Sequence, residues 1–329
     1  MISAFLTNVI SFPGLKIGEF NLNPEAFRIP LFWTDGKSHP VMWYGIIITL
    51  AMIIGFTVAH RKAKLEGIES DHIFDLAIFL IIFTILGARL YYVLMKPENF
   101  SSFYDVIAIW NGGLAIYGGV IAGAATVFVF SKAKKIKTAQ LMDIAAPGLI
   151  IGQAIGRWGN FFNAEAYGDV TTLPWRMCSP QIASEMLYKG QISSAEYADM
   201  LAGTLGVHPT FLYESLWNII GFILIMCFYK KKKYDGAPTL WYLTWYGFGR
   251  FFIEGLRTDS LYLLENALGQ TVRVSQLVAA MCFIGGIITM VVCGVRAKRA
   301  KLDEAAYEAV YTENEEKEPE DTEANDNIL

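Results

Sequence analysis

The sequence predicts an all-α polytopic membrane protein with seven transmembrane helices, the N-terminus outside, the C-terminus cytoplasmic, and a small extracytoplasmic segment. Three observations lead there. Of 329 residues, 54% are apolar and 18% charged, an imbalance too large for an ordinary soluble domain. Runs of the length an α-helix needs to cross ~30 Å of hydrocarbon, about 20 apolar residues, recur along the chain. Lys and Arg gather in alternate connections between those runs, the bias that marks cytoplasmic loops.

The expected spans fall near residues 41–60, 73–95, 113–131, 142–158, 211–229, 239–257 and 275–295. The fourth and sixth are the weaker ones, because they contain Pro147 or Arg250 and Glu254. Basic residues cluster at Arg61–Lys64, Lys132–Lys137, Lys230–Lys233 and Arg296–Lys301, which places those connections inside. Residues 1–40 lack a basic stretch leading into a long apolar core and a small-residue cleavage site. They are therefore expected to stay as an outer segment containing a short interfacial helix. Residues 41–295 form the membrane body, including an extracytoplasmic piece, 159–210, with an amphipathic helix near 181–202. Residues 296–329 turn from basic to acidic: the last 28 residues hold 11 Asp or Glu against one Lys. Such a stretch is expected to be a disordered cytoplasmic tail. The four cysteines show no CxxC pairing, so neither a metal site nor a disulfide framework is expected, and nothing points to nucleic acid. No period of 20 to 50 residues repeats, which argues against a solenoid or an obvious inverted-repeat transporter.

A charge near the bilayer centre costs roughly 2.5 to 3.5 kcal/mol on insertion scales, so ionisable residues within spans are functional candidates. In this topology Tyr44, Arg89, Tyr117, Arg157, Tyr213 and Glu214 all fall toward the outer ends of their spans. Arg250, Glu254 and Arg257 share one face of the sixth, at i, i+4 and i+7. Snorkelling anchors should serve both leaflets, yet inner-side charge within spans is confined to Asp75 and Asp143. Several arginines with carboxylates at headgroup depth suit a phosphate, which guanidinium binds through two oxygens at once. A phospholipid headgroup is the natural ligand.

The densest motif is Gly156-Arg157-Trp158-Gly159-Asn160-Phe161-Phe162-Asn163-Ala164-Glu165-Ala166-Tyr167-Gly168. Its glycines frame one cation, two amides and one carboxylate at the outer face. This segment resembles the signature of bacterial prolipoprotein diacylglyceryl transferases. Trp43-Tyr44-Gly45, Gly87-Ala88-Arg89-Leu90-Tyr91-Tyr92 and Gly112-Gly113-Leu114-Ala115-Ile116-Tyr117-Gly118-Gly119 resemble the family's first three span motifs. His208-Pro209-Thr210-Phe211-Leu212-Tyr213-Glu214 and the stretch from Tyr246 to Arg257 complete the set, in the family's order, over roughly residues 40 to 295.

The resemblance implies an enzyme that moves diacylglyceryl from phosphatidylglycerol to the lipobox cysteine thiol of a preprolipoprotein. A thioether forms, glycerol 1-phosphate leaves, and no cofactor is required. It implies a multi-pass protein of the bacterial cytoplasmic membrane, with its site toward the outer leaflet and membrane lipid and signal peptides as partners. Breaking a carbon–oxygen bond to phosphate builds negative charge on the phosphate, which preorganised arginines stabilise. Arg157 and Arg257, then Arg250, are the residues assigned to that task. Glu254 would orient an arginine, and Glu214 would support the site or accept a proton. Asn160, Asn163 and Glu165 would hold headgroup hydroxyls, with Tyr44, Arg89, Gly168 and Tyr246 also lining the substrate. His208 is expected chiefly to stabilise the turn into the fifth span and otherwise to contact substrate. Tyr117 stands where many members carry His. A phenol with a free pKa near 10 is a poor base, so Tyr117 is expected to orient substrate by a hydrogen bond.

Gly119-xxx-Gly123 has a spacing that lets helices approach closely. The competing readings are a transporter, which needs a polar path reaching both faces, and a different phospholipid-processing enzyme built on the same phosphate site.

Overall fold

The computed structural model describes residues 7–30, 38–258, 262–265 and 271–315. Seven long helices dominate them: α1 (Trp43–Leu65), α2 (Ser70–Met95), α4 (Ile116–Ala133), α5 (Thr138–Asn163), α8 (Thr210–Phe228), α9 (Ala237–Leu256) and α10 (Val274–Glu315). Short helices α3 (Phe103–Ile107), α6 (Pro180–Tyr188) and α7 (Ser194–Leu201) lie between them. Five of the long helices, α1, α2, α4, α8 and α10, are long and apolar enough to cross a membrane. The two others, α5 and α9, with 26 and 20 residues, carry Arg157 and the pair Arg250 and Glu254 respectively. Outward faces are apolar: Ile78, Ile82 and Leu86 on α2 and Ile284, Ile288 and Val291 on α10 are exposed at helical spacing. That is the pattern of helices facing lipid.

Helix pairs α1 with α5, α2 with α4, α5 with α8 and α9 with α10 make the main contacts. The closest approach of α2 and α4 is at Gly87 and Gly118, where a Cβ on Gly118 would sit 2.3 Å from the Gly87 carbonyl oxygen. At the pair marked by spacing, Gly119 and Gly123, a Cβ would have more room, its nearest neighbour being Thr84 at 3.4 and 3.1 Å. The seam therefore runs through the neighbouring glycine.

Three local expectations are corrected. Among its described residues the N-terminal segment holds two antiparallel hairpins in place of the expected interfacial helix: β1 (Asn8–Phe12) with β2 (Ile17–Leu22), and β3 (Glu25–Pro30) with β4 (Ser38–Met42). Ile10 and Phe12, two apart on β1, point into the core of the outer segment beside Met177, Ile182, Met186 and Val207. That period of two belongs to a strand. The amphipathic stretch near 181–202 is two helices, because Gly190 takes a φ of +66° and Ser193 with Glu196 forms a capping box that starts α7. The tail does not begin as a coil, since α10 continues through residues 296–315, a stretch rich in Ala, Glu, Lys and Arg and free of proline. The rest of the acidic tail, 316–329, lies outside the described residues.

Arg89, expected at the substrate, has a different setting. Its Nε donates to the Val106 carbonyl at 2.9 Å, Nη1 to Gly112 and Gly113 at 2.6 and 2.8 Å, and Nη2 to Asp105 and Ala108 at 2.6 and 3.4 Å. Gly112 and Gly113 have φ of +85° and +80°, which turns their carbonyls to this cation, and a Cβ on Gly113 would lie 2.6 Å from Nη1. All five guanidinium N–H groups thus gather the connection between α2 and α4. Arg89→Lys, with three donors in place of five, is expected to lower the thermal midpoint of the purified protein, and Arg89→Ala to cost about 3 kcal/mol. Midpoints equal to the parent's in both variants would show that the connection does not need this clamp.

Candidate active site

Proline cannot donate within a helix, yet α5 runs through Pro147 to Asn163 and delivers Arg157, Asn160 and Asn163 on its last two turns. α8 starts at Thr210 and presents Glu214 on its first turn or so, and α9 presents Tyr246, Arg250 and Glu254 on one face. These three ends meet.

Glu214 is the joint. Its Oε1 accepts from Arg157 Nη2 at 2.6 Å and its Oε2 from Arg250 Nη1 at 2.9 Å. Arg250 Nη2 lies 2.5 Å from Glu254 Oε2, one turn further on. The result is an alternating chain, Arg157–Glu214–Arg250–Glu254, whose two carboxylates are each 2% exposed. Arg250 has a carboxylate oxygen at each Nη atom, whereas among the described residues Arg157 Nη1 reaches only Asn160 Oδ1, at 3.5 Å. Asn160 Nδ2 and Asn163 Nδ2 both donate to Glu165 Oε1, at 2.9 and 3.2 Å, so the two amides and the carboxylate are one unit next to Arg157.

Gly168 and Arg257 act through the backbone. Gly168 N donates to His208 O at 3.0 Å, Asp169 N to Leu256 O at 2.7 Å, and His208 N to Asp169 O at 3.1 Å. Residues 168–169 thus lie between the approach to α8 and the end of α9, with Gly168 bridged to Arg257. A Cβ on Gly168 would come within 2.8 Å of His208 Cβ and 2.9 Å of Leu256 O. Only glycine fits that passage without displacement. The Arg257 side chain also has a partner in the structure.

His208 Nδ1 is 3.1 Å from the Tyr213 hydroxyl. That hydroxyl also accepts from Trp175 Nε1 at 2.6 Å. Burial pushes the His208 pKa below its ordinary value of 6.5, with Asp169 opposing it. The ring thus contacts the first turn of α8. Tyr44 packs its ring against Gly159, and Tyr246 lies within electrostatic reach of Glu214, Arg250 and Arg157. Tyr117 stands apart from the ion chain, its hydroxyl 3.3 Å from Ser275 Oγ at the start of α10.

Comparison with known proteins gives this geometry a family. The model of the prolipoprotein diacylglyceryl transferases matches residues 31–292. The chain belongs to the prolipoprotein diacylglyceryl transferase family. A relative from Clostridium perfringens named phosphatidylglycerol--prolipoprotein diacylglyceryl transferase 1 is 41% identical over 282 residues, covering 85% of this chain and 98% of its own. Relatives with that family name from Acaryochloris marina and Enterococcus faecalis are 43% and 40% identical, over 76% and 82% of this chain and 85% and 90% of theirs.

Four partners of these residues are not marked in the sequence. Arg273 donates to the Glu254 carbonyl oxygen, Ser275 meets Tyr117, and Gln276 Nε2 donates to Phe251 O at 3.1 Å. Gln153, one turn below Arg157, donates to the Tyr242 hydroxyl at 2.9 Å. Ser275 and Gln276 open α10 and Arg273 immediately precedes it; the sequence signal there is a polar Arg-Val-Ser-Gln run leading into a long apolar helix.

The depressed His208 pKa has a sign that can be checked. The neutral ring's contribution is fully present above the unfolded value near 6.5 and is lost as pH falls toward the lower folded value. An NMR titration is expected to show the His208 ring neutral at pH 6.5 and the protein's thermal midpoint falling below that pH. A His208 midpoint at or above 6.5 contradicts the burial argument. Glu214→Gln is expected to destabilise the fold by about 3–5 kcal/mol, because it removes the buried charge that compensates two half-buried arginines. Glu254→Gln, which touches one, should cost less; an equal or reversed order in chemical unfolding would displace Glu214 as the joint.

Proposed function

We propose that this chain transfers the diacylglyceryl group of phosphatidylglycerol to the lipobox cysteine thiol of preprolipoproteins, the first step of bacterial lipoprotein maturation. Family membership with relatives of that name supports the reaction. The observation in the site that carries it is Arg157, a cation fixed on one side by Glu214 and turned on the other toward an Asn–Asn–Glu unit. A fixed guanidinium next to acceptors and amide donors matches a phosphate joined to a glycerol with free hydroxyls.

The sulfur–carbon bond forms as the carbon–oxygen bond to phosphate breaks, and glycerol 1-phosphate departs with the charge. Arg157 stabilises that charge, with Arg250 and Arg257 beside it. Glu214 and Glu254 hold the arginines in place, a task that suits Glu214 better than taking a proton, since both its oxygens already accept from guanidinium. Asn160, Asn163 and Glu165 receive the headgroup glycerol, and Tyr44 and Tyr246 line the lipid. Tyr117 orients substrate through its hydroxyl, and the thiol belongs to the substrate. The chain crosses the bacterial cytoplasmic membrane seven times, N-terminus outside and C-terminus inside, with the site toward the outer leaflet. The basic connections and the length of α5 and α9 support that topology. Both substrates enter laterally between helices, and the outer segment 159–210 helps to position the signal peptide. That segment cannot simply be deleted to test the idea, since Ile182, Ala183, Met186 and Met200 are part of its core.

The decisive assay uses purified protein, phosphatidylglycerol labelled in its acyl chains, and lipobox peptides with Cys or Ser at the acceptor position. Label is expected on the Cys peptide alone. Arg157→Ala should lower turnover at least about a hundredfold, and Arg157→Lys should restore only part of it, since a point charge lacks the bidentate fork. Lipid consumption without peptide labelling would replace the proposal with another phospholipid-processing activity.

A further inference from the structure

The connection that closes the opposite end of the bundle holds a second lipid-like environment. α8 finishes in a tight turn, Tyr229–Lys231, followed by Lys232, Lys233 and the start of α9. Between α8, α9 and α10 this connection roofs a cavity of ≈ 430 Å³. Its walls are apolar, with Leu224, Phe228, Pro238, Trp241 and Met290 among them, and its rim is Lys231, Lys232 and Lys233. Phe228 and Trp241 stack across the wall at 6.5 Å.

The three rim lysines differ in how they are spent. Lys232 is neutralised, with Glu66, Asp143 and Asp235 at 2.8, 3.4 and 3.4 Å, and Asp235 is shared further with Lys137 at 2.9 Å. Lys231 and Lys233 are exposed, and among the described residues neither has an acidic partner. Lys231 Nζ instead rests 5.9 Å from the Phe228 ring centre. Two uncompensated cations thus stand over a hydrocarbon-lined cavity, at a helix end where headgroups begin. From Glu214 to Lys231 along α8 is 17 residues, or ~26 Å, so this cavity is nearly a bilayer core away from the arginine–glutamate chain.

We propose that this cavity is a binding site for an anionic glycerophospholipid of the leaflet opposite the catalytic cluster. Lys231 and Lys233 hold the headgroup phosphate, and the Phe228–Trp241 wall holds the first part of an acyl chain. Charge selects the headgroup: basic pockets between transmembrane helices recruit anionic lipid. The apolar walls select lipid over free phosphate, which would leave them empty. The proposal does not depend on the transferase reading, and the probe is therefore a lipid other than its donor.

Full-length protein is stripped of lipid in detergent and incubated with dioleoyl phosphatidylserine, dioleoyl phosphatidylcholine or sodium phosphate, and bound lipid is counted by native mass spectrometry. Two variants address the two halves of the site: Lys231→Ala with Lys233→Ala removes the cations, and Gly294→Leu fills the cavity. Gly294 lines it, and a Cβ there meets nothing within 4 Å, so this variant fills space without disturbing the backbone. The parent is expected to bind phosphatidylserine in preference to phosphatidylcholine. Each variant should lose one bound phosphatidylserine or bind it about tenfold more weakly, with an unchanged thermal midpoint in lipid-free detergent. Millimolar phosphate should displace none. Parental stoichiometry and affinity in both variants, equal binding of phosphatidylcholine, or displacement by free phosphate would each overturn the proposal.

Discussion

The two oxygens of Glu214 each hold a different arginine, and through them α8 is tied to α5 on one side and to α9 on the other. A buried carboxylate between two guanidinium groups is stable only as a set. Loss of one member leaves charge in a low-dielectric interior at a cost of about 3–5 kcal/mol. The set therefore specifies geometry: α5 and α9 cannot rotate about their axes without withdrawing Arg157 or Arg250 from a carboxylate oxygen. Arg250 is held by Glu214 and Glu254 together. Arg157 keeps part of its donor fork for something else, and it is the arginine that faces the amide and carboxylate unit.

A second clasp holds the other end of the same three helices. Asp143 of α5, fully buried, accepts from the backbone N–H groups of Gly236 and Thr239 at 2.7 and 3.1 Å and from the Thr239 hydroxyl at 2.8 Å. It thereby caps the start of α9 from a neighbouring helix, where unsatisfied N–H groups and the helix dipole favour an anion. Lys232 and Glu66 complete it. With α5, α8 and α9 pinned at both ends, the arginine–glutamate cluster is held in a fixed geometry.

What the sequence discloses follows from the range of each interaction. Arg250 and Glu254 are one helical turn apart, so their pairing is legible from spacing alone. The Asn160–Asn163–Glu165 unit is legible for the same reason, being local. Glu214 was singled out by its depth in a span, but its partners are 57 and 36 residues away, and no pattern in the chain specifies that pairing. Arg89 shows the converse. Depth in a span marks it as functional, yet backbone carbonyls from a connection full of turns can satisfy a guanidinium as completely as a phosphate can. The β-hairpins near the N-terminus were obscured because Ile10 and Phe12 alternate over only five residues, too short a run to override the expectation of an interfacial helix.

Tyr117 gives the last constraint on mechanism. Its hydroxyl meets Ser275, which belongs to the helix that follows the connection after α9. The same helix start sends Gln276 to the Phe251 carbonyl, and the neighbouring Arg273 reaches the Glu254 carbonyl. The polar residues at 273, 275 and 276 thus join α4 to the end of α9 that carries Glu254. A phenol in that position transmits the placement of α4 to the ion chain through hydrogen bonds, without having to change its protonation state. With both oxygens of Glu214 occupied, the ionisable groups at this junction are arranged to fix arginines, and Tyr117 is joined to them through the hydrogen-bonded start of α10.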